Sequence, residues 1–244
     1  NEPVARCGRY LLDHPRHKNP GEVLIKAGDR GAYLVGLVTC GSVWVCPVCA
    51  AKIAEARRQD VSRVLDGHYG DGGVAYMAAF TVPHTAFQRC VDLKTAVAGA
   101  WRKVQGGKQW QVEKARAGLV GTVRALEVTY GANGWHPHLH VLFFLSRDDP
   151  EVAAAFGRFL FERWSRIIAS AGLGKCTPQV WRFEKARCPA QAGDYVVKWD
   201  AAGEMVYGAR KSGKGRSVWD VLTDLWEANI RRRENGPGDD LKNI

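Results

Sequence analysis

The chain has 244 residues, 46% of them hydrophobic and 25% charged, so it has enough apolar material to bury a core and too much for a disordered polymer. No apolar run approaches the roughly 18 residues that a membrane span needs, and no signal peptide is visible, although a chain that starts at Asn1 leaves a lost leader open. The formal net charge of +10 suits a polyanionic partner, nucleic acid ahead of an anionic membrane, and the nine tryptophans suit stacking on unpaired bases as well as core packing.

The first segment carries most of the metal-binding signal. Seven cysteines are an odd number for a disulfide framework, and their clustering points to metal instead. Cys40, Cys46 and Cys49 form C-x5-C-x2-C, with Pro47 inside the tight Cys46-Pro47-Val48-Cys49 turn. A C-x2-C knuckle supplies two ligands of a tetrahedral zinc, and Cys7 completes an all-cysteine set of four if the N-terminal segment folds back. His14 or His17 could take the place of Cys7, whereas Cys90, Cys176 and Cys188 lack ligand spacing and read as ordinary thiols. A helix is expected from Ala50 to about Leu65, and the turn-rich stretch 66–73 then marks a boundary. This gives a zinc-binding head with its helix over 1–66, a catalytic domain over 67–207, and a basic loop with a C-terminal helix over 208–244.

Beyond the boundary, Val74 to Val82 reads as a strand closed by Pro83-His84, and Phe87 to Val104 as a helix with Phe87, Val91, Val97, Trp101 and Val104 near one face. A second short helix to Ala117 follows, then a strand from Leu119 to Tyr130. Gly131-Ala132-Asn133-Gly134 is a hairpin turn, and Trp135 to Leu145 is its second strand. Asp149 caps a helix with Pro150 at its first position, running to about Ala169. Gln179 to Phe183 reads as a short strand, Pro189 to Trp199 as a helix, and 203–215 as a basic, glycine-rich loop. An amphipathic helix from Val218 to about Arg233 ends the pattern. Mixed elements around an antiparallel hairpin predict an α+β fold with an antiparallel sheet.

The hairpin holds the densest chemistry. Side chains alternate along a strand, so His136, His138 and His140 share one face. With Asn133-Gly134 as a two-residue loop, Glu127 falls opposite His140 and Thr129 opposite His138; a bulge at Pro137 would move this register by one. Glu127 lies in an apolar run, where a carboxylate needs a partner or a metal. A Glu-His-His set suits a divalent cation such as Mg²⁺, Mn²⁺ or Zn²⁺, which would polarise a phosphoryl oxygen. In the helix 189–199, Gln191, Tyr195 and Lys198 share a face, and Lys198 is placed to stabilise a Tyr195 phenolate nucleophile. Residues 208–215 nearly match a P-loop, but Gly215 replaces the Ser/Thr and no βαβ context surrounds them. A basic loop whose Arg210, Lys211, Lys214 and Arg216 touch DNA phosphates fits better, with a solvated turn as the alternative.

The Glu127 strand, the strand His136-Pro137-His138-Leu139-His140 and the later Tyr195-Val196-Val197-Lys198 together resemble HUH-superfamily endonucleases. They are most similar to the single-tyrosine rolling-circle replication initiators of bacterial plasmids and integrative elements. Cys40-Gly41-Ser42-Val43-Trp44-Val45-Cys46-Pro47-Val48-Cys49 resembles the actinobacterial members, and Phe80-Thr81-Val82-Pro83-His84 their first motif. The resemblance spans about residues 7 to 200 and implies a ferredoxin-like sheet with the metal on one face and the tyrosine helix above it. It implies metal ligation by His138 and His140, with Glu127 third, and attack by Tyr195 on a DNA phosphate, leaving a 5′-phosphotyrosine and a free 3′-OH. It further implies Mg or Mn at the active site, structural zinc in the head, hairpin or single-stranded origin DNA as substrate, host helicase and polymerase as partners, and the bacterial cytoplasm. Gln191 stands where some initiators carry a water-activating glutamate, and Asp194 and Glu184 are unranked substitutes. His136 and His84 contact DNA phosphate or simply pack. Rival readings are a conjugative relaxase or single-tyrosine transposase, a hydrolase with a water nucleophile, and a non-catalytic zinc-stabilised DNA-binding protein.

Overall fold

The computed structural model describes residues 2–12, 21–28, 31–186 and 216–235. The chain divides into two compact units, Asn1–Gln59 and Asp60–Ile244. The division falls inside a long helix, α2 (Pro47–Gly70), ahead of the 66–73 stretch that the sequence marks as a break. Helical backbone continues through Gly67 to Gly70, and the turn comes only at Asp71-Gly72.

The first unit contains α1 (Glu2–Arg6), a hairpin of β1 (Leu24–Gly28) and β2 (Gly31–Val35), and the first half of α2. The hairpin register runs from Leu24↔Val35 to Gly28↔Gly31. Gly8 N–H donates to Val38 O at 2.9 Å and Val38 N–H to Tyr10 O at 2.9 Å, so the N-terminal segment lies along 37–40. The small core is Cys7, Cys46 and Cys49, with Val4, Cys40 and Ile53 against it.

The second unit is built on a five-stranded antiparallel sheet. Its strands are β3 (Val74–Phe80), β4 (Leu119–Gly131), β5 (Gly134–Leu145), β6 (Phe183–Lys185) and β7 (Arg216–Ser217), in the spatial order β6-β3-β5-β4-β7. Between them lie α3 (Cys90–Val104), α4 (Gly107–Arg116) and α5 (Pro150–Ser170); α6 (Val218–Asn235) follows β7. From β3 to β6 the chain runs β-α-β-β-α-β, with an additional short helix after α3, and its four strands stand in the order fourth, first, third, second. That is the ferredoxin-like arrangement of an α+β protein.

Each face of the sheet is settled by alternation. Tyr76, Ala78 and Phe80 of β3 and Leu139, Val141, Phe143 and Leu145 of β5 point to the face covered by α3 and α5, where Leu93, Val97, Trp101, Phe156, Leu160 and Trp164 are buried. Asp149 caps α5, accepting from Val152 N–H at 3.1 Å, with Pro150 in the first turn. On α5, a Cβ at Gly157 would come within 2.8 Å of the Phe183 ring, so glycine is what lets β6 approach the helix. The other face carries Leu65 of α2 with Ala75, Leu142 and Phe144 at one end of the sheet.

Several expectations change. The helix expected from Phe87 begins at Cys90, and Phe87 is 97% exposed rather than on the apolar face. Thr85 N–H donates to Gln88 Oε1 and Gln88 N–H to Thr85 O, so the residues before Cys90 form a turn. Residues Pro178–Val180 are a 3₁₀ turn, and the short strand lies later, at Phe183–Lys185. The expected helix 189–199 and the basic loop 203–215 lie outside the described residues.

Candidate metal centre

The hairpin of β4 and β5 positions the site. Its loop is Ala132-Asn133, because Gly131 pairs with Gly134, so partners are offset by two residues from the expected register. Glu127 therefore faces His138 and not His140, and Thr129 faces His136. An offset of two leaves every side chain on its expected face. No bulge forms at Pro137, which pairs with Val128; the irregularity lies between Leu119 and Gly121.

The three groups converge. His138 Nε2 lies 3.0 Å from His140 Nε2 and 3.1 Å from Glu127 Oε2, and His140 Nε2 lies 2.8 Å from that same oxygen. His138 Nδ1 sits 3.3 Å from His136 O and donates its N–H to the backbone, so Nε2 is the nitrogen that offers either a lone pair to a cation or, when protonated, a hydrogen bond to Glu127. Two imidazole nitrogens and a carboxylate oxygen at these separations repel unless a proton or a cation lies between them. Neighbouring ligand atoms on an octahedral cation with bonds of about 2.1 Å are roughly 3.0 Å apart, close to the triangle seen. Two nitrogens and one carboxylate also suit a divalent transition metal. Burial works to raise the Glu127 carboxyl, but hydrogen bonds and attraction from His138 and His140 win and hold it well below the usual carboxylate range.

His136 belongs to a neighbouring pair. Its Nδ1 lies 2.7 Å from His84 Nε2, and His84 Nδ1 lies 2.9 Å from Asn133 O. His84 Nδ1–H donates to that carbonyl, so His84 Nε2 accepts from His136 Nδ1–H. Burial, with the neighbouring His138 and His84, lowers His136 to about 4, so it is neutral near pH 7. The two residues lie 52 positions apart, and sequence spacing gives no sign that they meet.

The second cluster is Cys7, Cys40, Cys46 and Cys49, whose sulfurs all lie within 4.8 Å of one another. Cys7 Sγ is 3.4 Å from Cys49 Sγ and Cys40 Sγ is 3.8 Å from it. Sulfurs on a tetrahedral zinc with bonds of about 2.3 Å lie roughly 3.8 Å apart, so the set fits that ion. Backbone N–H groups of Cys40, Ser42 and Cys49 point at Cys7, Cys40 and Cys46 sulfurs at 3.5 Å. Against the lowering pull of the Cys40 N–H, burial and the neighbouring thiols push Cys7 up to about 12. Burial works to raise Cys46, yet the Cys49 N–H and the Cys7 and Cys40 thiols draw it down to about 7. A bound cation would displace the protons that the raised Cys7 and Cys40 thiols keep.

Tyr195, Lys198, Gln191, Asp194, Arg210, Lys211, Lys214, His14, His17 and Cys188 lie outside the described residues. Arg216 sits on β7 beside Tyr130, tied to Asp224 and to Asp220 O. Glu184 pairs with Met77, which puts it on the histidine face two strands from His140, exposed and near Arg182. No helix among the described residues is long and apolar enough to cross a membrane.

The chain as a whole has relatives in sequence. The chain is 30% identical to protein rep of Streptomyces lividans over 227 residues, covering 73% of this chain and 50% of the relative. It is 26% identical to a neomycin resistance protein of Streptomyces cyanogenus over 256 residues, covering 89% of this chain and 56% of the relative. The chain thus spans about half the length of the curated relatives it matches. No family model matches it, and no solved structure matches it.

Proposed function

We propose that this chain carries the DNA-nicking and rejoining centre of a rolling-circle replication initiator of the HUH type. The observation that carries the reading is the convergence of Glu127 Oε2, His138 Nε2 and His140 Nε2 on one face of the sheet. The likeness to protein rep, the β-α-β-β-α-β order and the net charge of +10 support it.

In this reading Glu127, His138 and His140 hold a magnesium or manganese ion, which when bound polarises the scissile phosphate. Tyr195 attacks phosphorus through its phenolic oxygen, and Lys198 stabilises the phenolate. The Tyr–O–P bond forms as the P–O3′ bond breaks, and the 3′ oxygen leaves and takes up a proton. The 5′-phosphotyrosine retains the energy of the broken ester, so the reverse attack by a 3′-OH rejoins a strand without ATP. The free 3′ end primes a host polymerase, with a host helicase opening the duplex. Cys7, Cys40, Cys46 and Cys49 hold a structural zinc that braces the head.

The test is adduct formation. With Mn²⁺ and single-stranded DNA bearing the element's origin, the protein should become covalently attached to the 5′-phosphate end created by the nick. Tyr195→Phe should bind the DNA and form no adduct. A normal adduct from Tyr195→Phe would exclude that nucleophile, and nicking without any adduct would assign the attack to water.

A further inference from the structure

Phe87 is the most exposed large apolar side chain among the described residues, at 97%. Burying nothing, it contributes nothing to the core that the rest of the β3–α3 segment serves. Yet the backbone that presents it is built firmly. Thr85 and Gln88 close a turn around it through two reciprocal hydrogen bonds, 2.8 and 3.2 Å long. Ahead of the turn, Val82 is buried, and His84 is clamped between Asn133 O and His136. One residue before Phe87, Ala86 lies so close to the hairpin that a Cβ at Gly134 would stand 2.8 Å from its Cα.

The turn is thus seated on the β4–β5 hairpin, at the end where the histidine strand begins. His136, which holds His84, is two residues from His138 of the converging triad. A hydrogen-bonded turn that offers one bare aromatic ring at the hairpin end of the strand carrying a candidate phosphate-processing centre fits a particular ligand surface, the face of an unpaired base. Base–aromatic stacking tolerates any base, because every base has a π-face. Arg89 also stands exposed on this turn, two residues further on, with a share in an ion pair to Asp92.

We propose that Phe87 is a stacking platform for an unpaired base of single-stranded DNA adjoining the Glu127–His138–His140 centre. The His84–His136 pair and the Gly134 contact hold this platform at a fixed distance from the centre. The inference rests on the proposed function for the identity of the DNA, but its test does not need cleavage.

The experiment uses the full chain carrying Tyr195→Phe and a fluorescein-labelled homothymidine oligonucleotide of about twenty nucleotides, read by anisotropy. Phe87→Ala should weaken binding by about 5- to 100-fold, and Phe87→Trp should restore it. Replacing thymines by 5-iodouracil and irradiating should give a cross-link that mass spectrometry maps to residue 87. Unchanged affinity in Phe87→Ala, or cross-links confined to other residues, overturns the proposal. So does a concentration-dependent dimer that Phe87→Ala abolishes while DNA affinity stays constant, which would assign the ring to a second copy of the chain. Loss of adduct chemistry in the Tyr195-bearing protein alongside a cross-link at Phe87 would refute the nicking reading and leave the platform standing.

Discussion

Replacing Gly134 by alanine probes the contact that seats the β3–α3 turn on the hairpin. Gly134 has φ of +81°, and its added Cβ would lie 2.8 Å from Ala86 Cα and 3.1 Å from the Ala86 carbonyl oxygen. Both obstacles are backbone and cannot swing aside as a side-chain tip can. The left-handed conformation costs an L residue about 1 kcal/mol, and forcing packed backbone apart adds roughly 1–3 kcal/mol. Gly134→Ala should therefore destabilise the second unit by about 2–4 kcal/mol, or roughly 4–16 °C in its melting temperature. Gly131, paired with it across the turn, supplies the control. Nothing lies within 4 Å of a Cβ there and its φ is not positive, so Gly131→Ala should stay within about 0.5 kcal/mol. Urea unfolding followed by tryptophan fluorescence reads both. Equal midpoints for the two variants would mean that the turn does not rest on the hairpin and that His84 is not held as described.

Purified without chelator, the protein should contain one tightly held zinc per chain, and Cys49→Ser should lose most of it; elemental analysis that finds no zinc in the wild type would refute the four-cysteine assignment. Titration with Mn²⁺ by calorimetry should show His140→Ala and Glu127→Gln weakened by at least about 10-fold. His136→Ala should stay within about 3-fold in the same titration, since its ring nitrogen pairs with His84 and it holds His138 Nδ1 through its backbone carbonyl, which alanine keeps. Phe156→Ala, in the core between α5 and the sheet, should cost about 3–5 kcal/mol in urea unfolding.

The sequence made the character of the centre legible before its exact pairing. Alternation along β5 put three histidines on one face, and Glu127 had no other reason to sit in an apolar run. The sequence places the opposing partner two residues away, because Asn133-Gly134 is the stronger turn signal, whereas the chain uses Ala132-Asn133 between two paired glycines. That offset is harmless to the face because it amounts to two residues. Phe87 departs from its pattern for a different reason: an apolar residue at helical spacing predicts core, whereas the Thr85–Gln88 turn delays the helix to Cys90. Neither the β1–β2 hairpin nor β7 was foreseen. The first exposes nearly all its residues and so lacks an alternating pattern, and the second is two residues long. The contact between His84 and His136 spans two elements and depends on tertiary packing, which no local pattern encodes.

Strand β5 sorts its residues by position along and across the sheet. Leu139 and Val141 face the helices, while His138 and His140 between them face the candidate centre. In a library of single substitutions scored separately for cellular abundance and for cation-dependent activity, the two profiles should interleave along this stretch. Defects at 139 and 141 should deplete the protein, and defects at 138 and 140 should leave it plentiful and inert. Past His140 the profiles should merge, because Leu142 and Phe144 are buried on the histidine face as Phe143 and Leu145 are on the other. The residue at which the alternation stops would mark, without any bound ligand, how far the working surface of the strand extends.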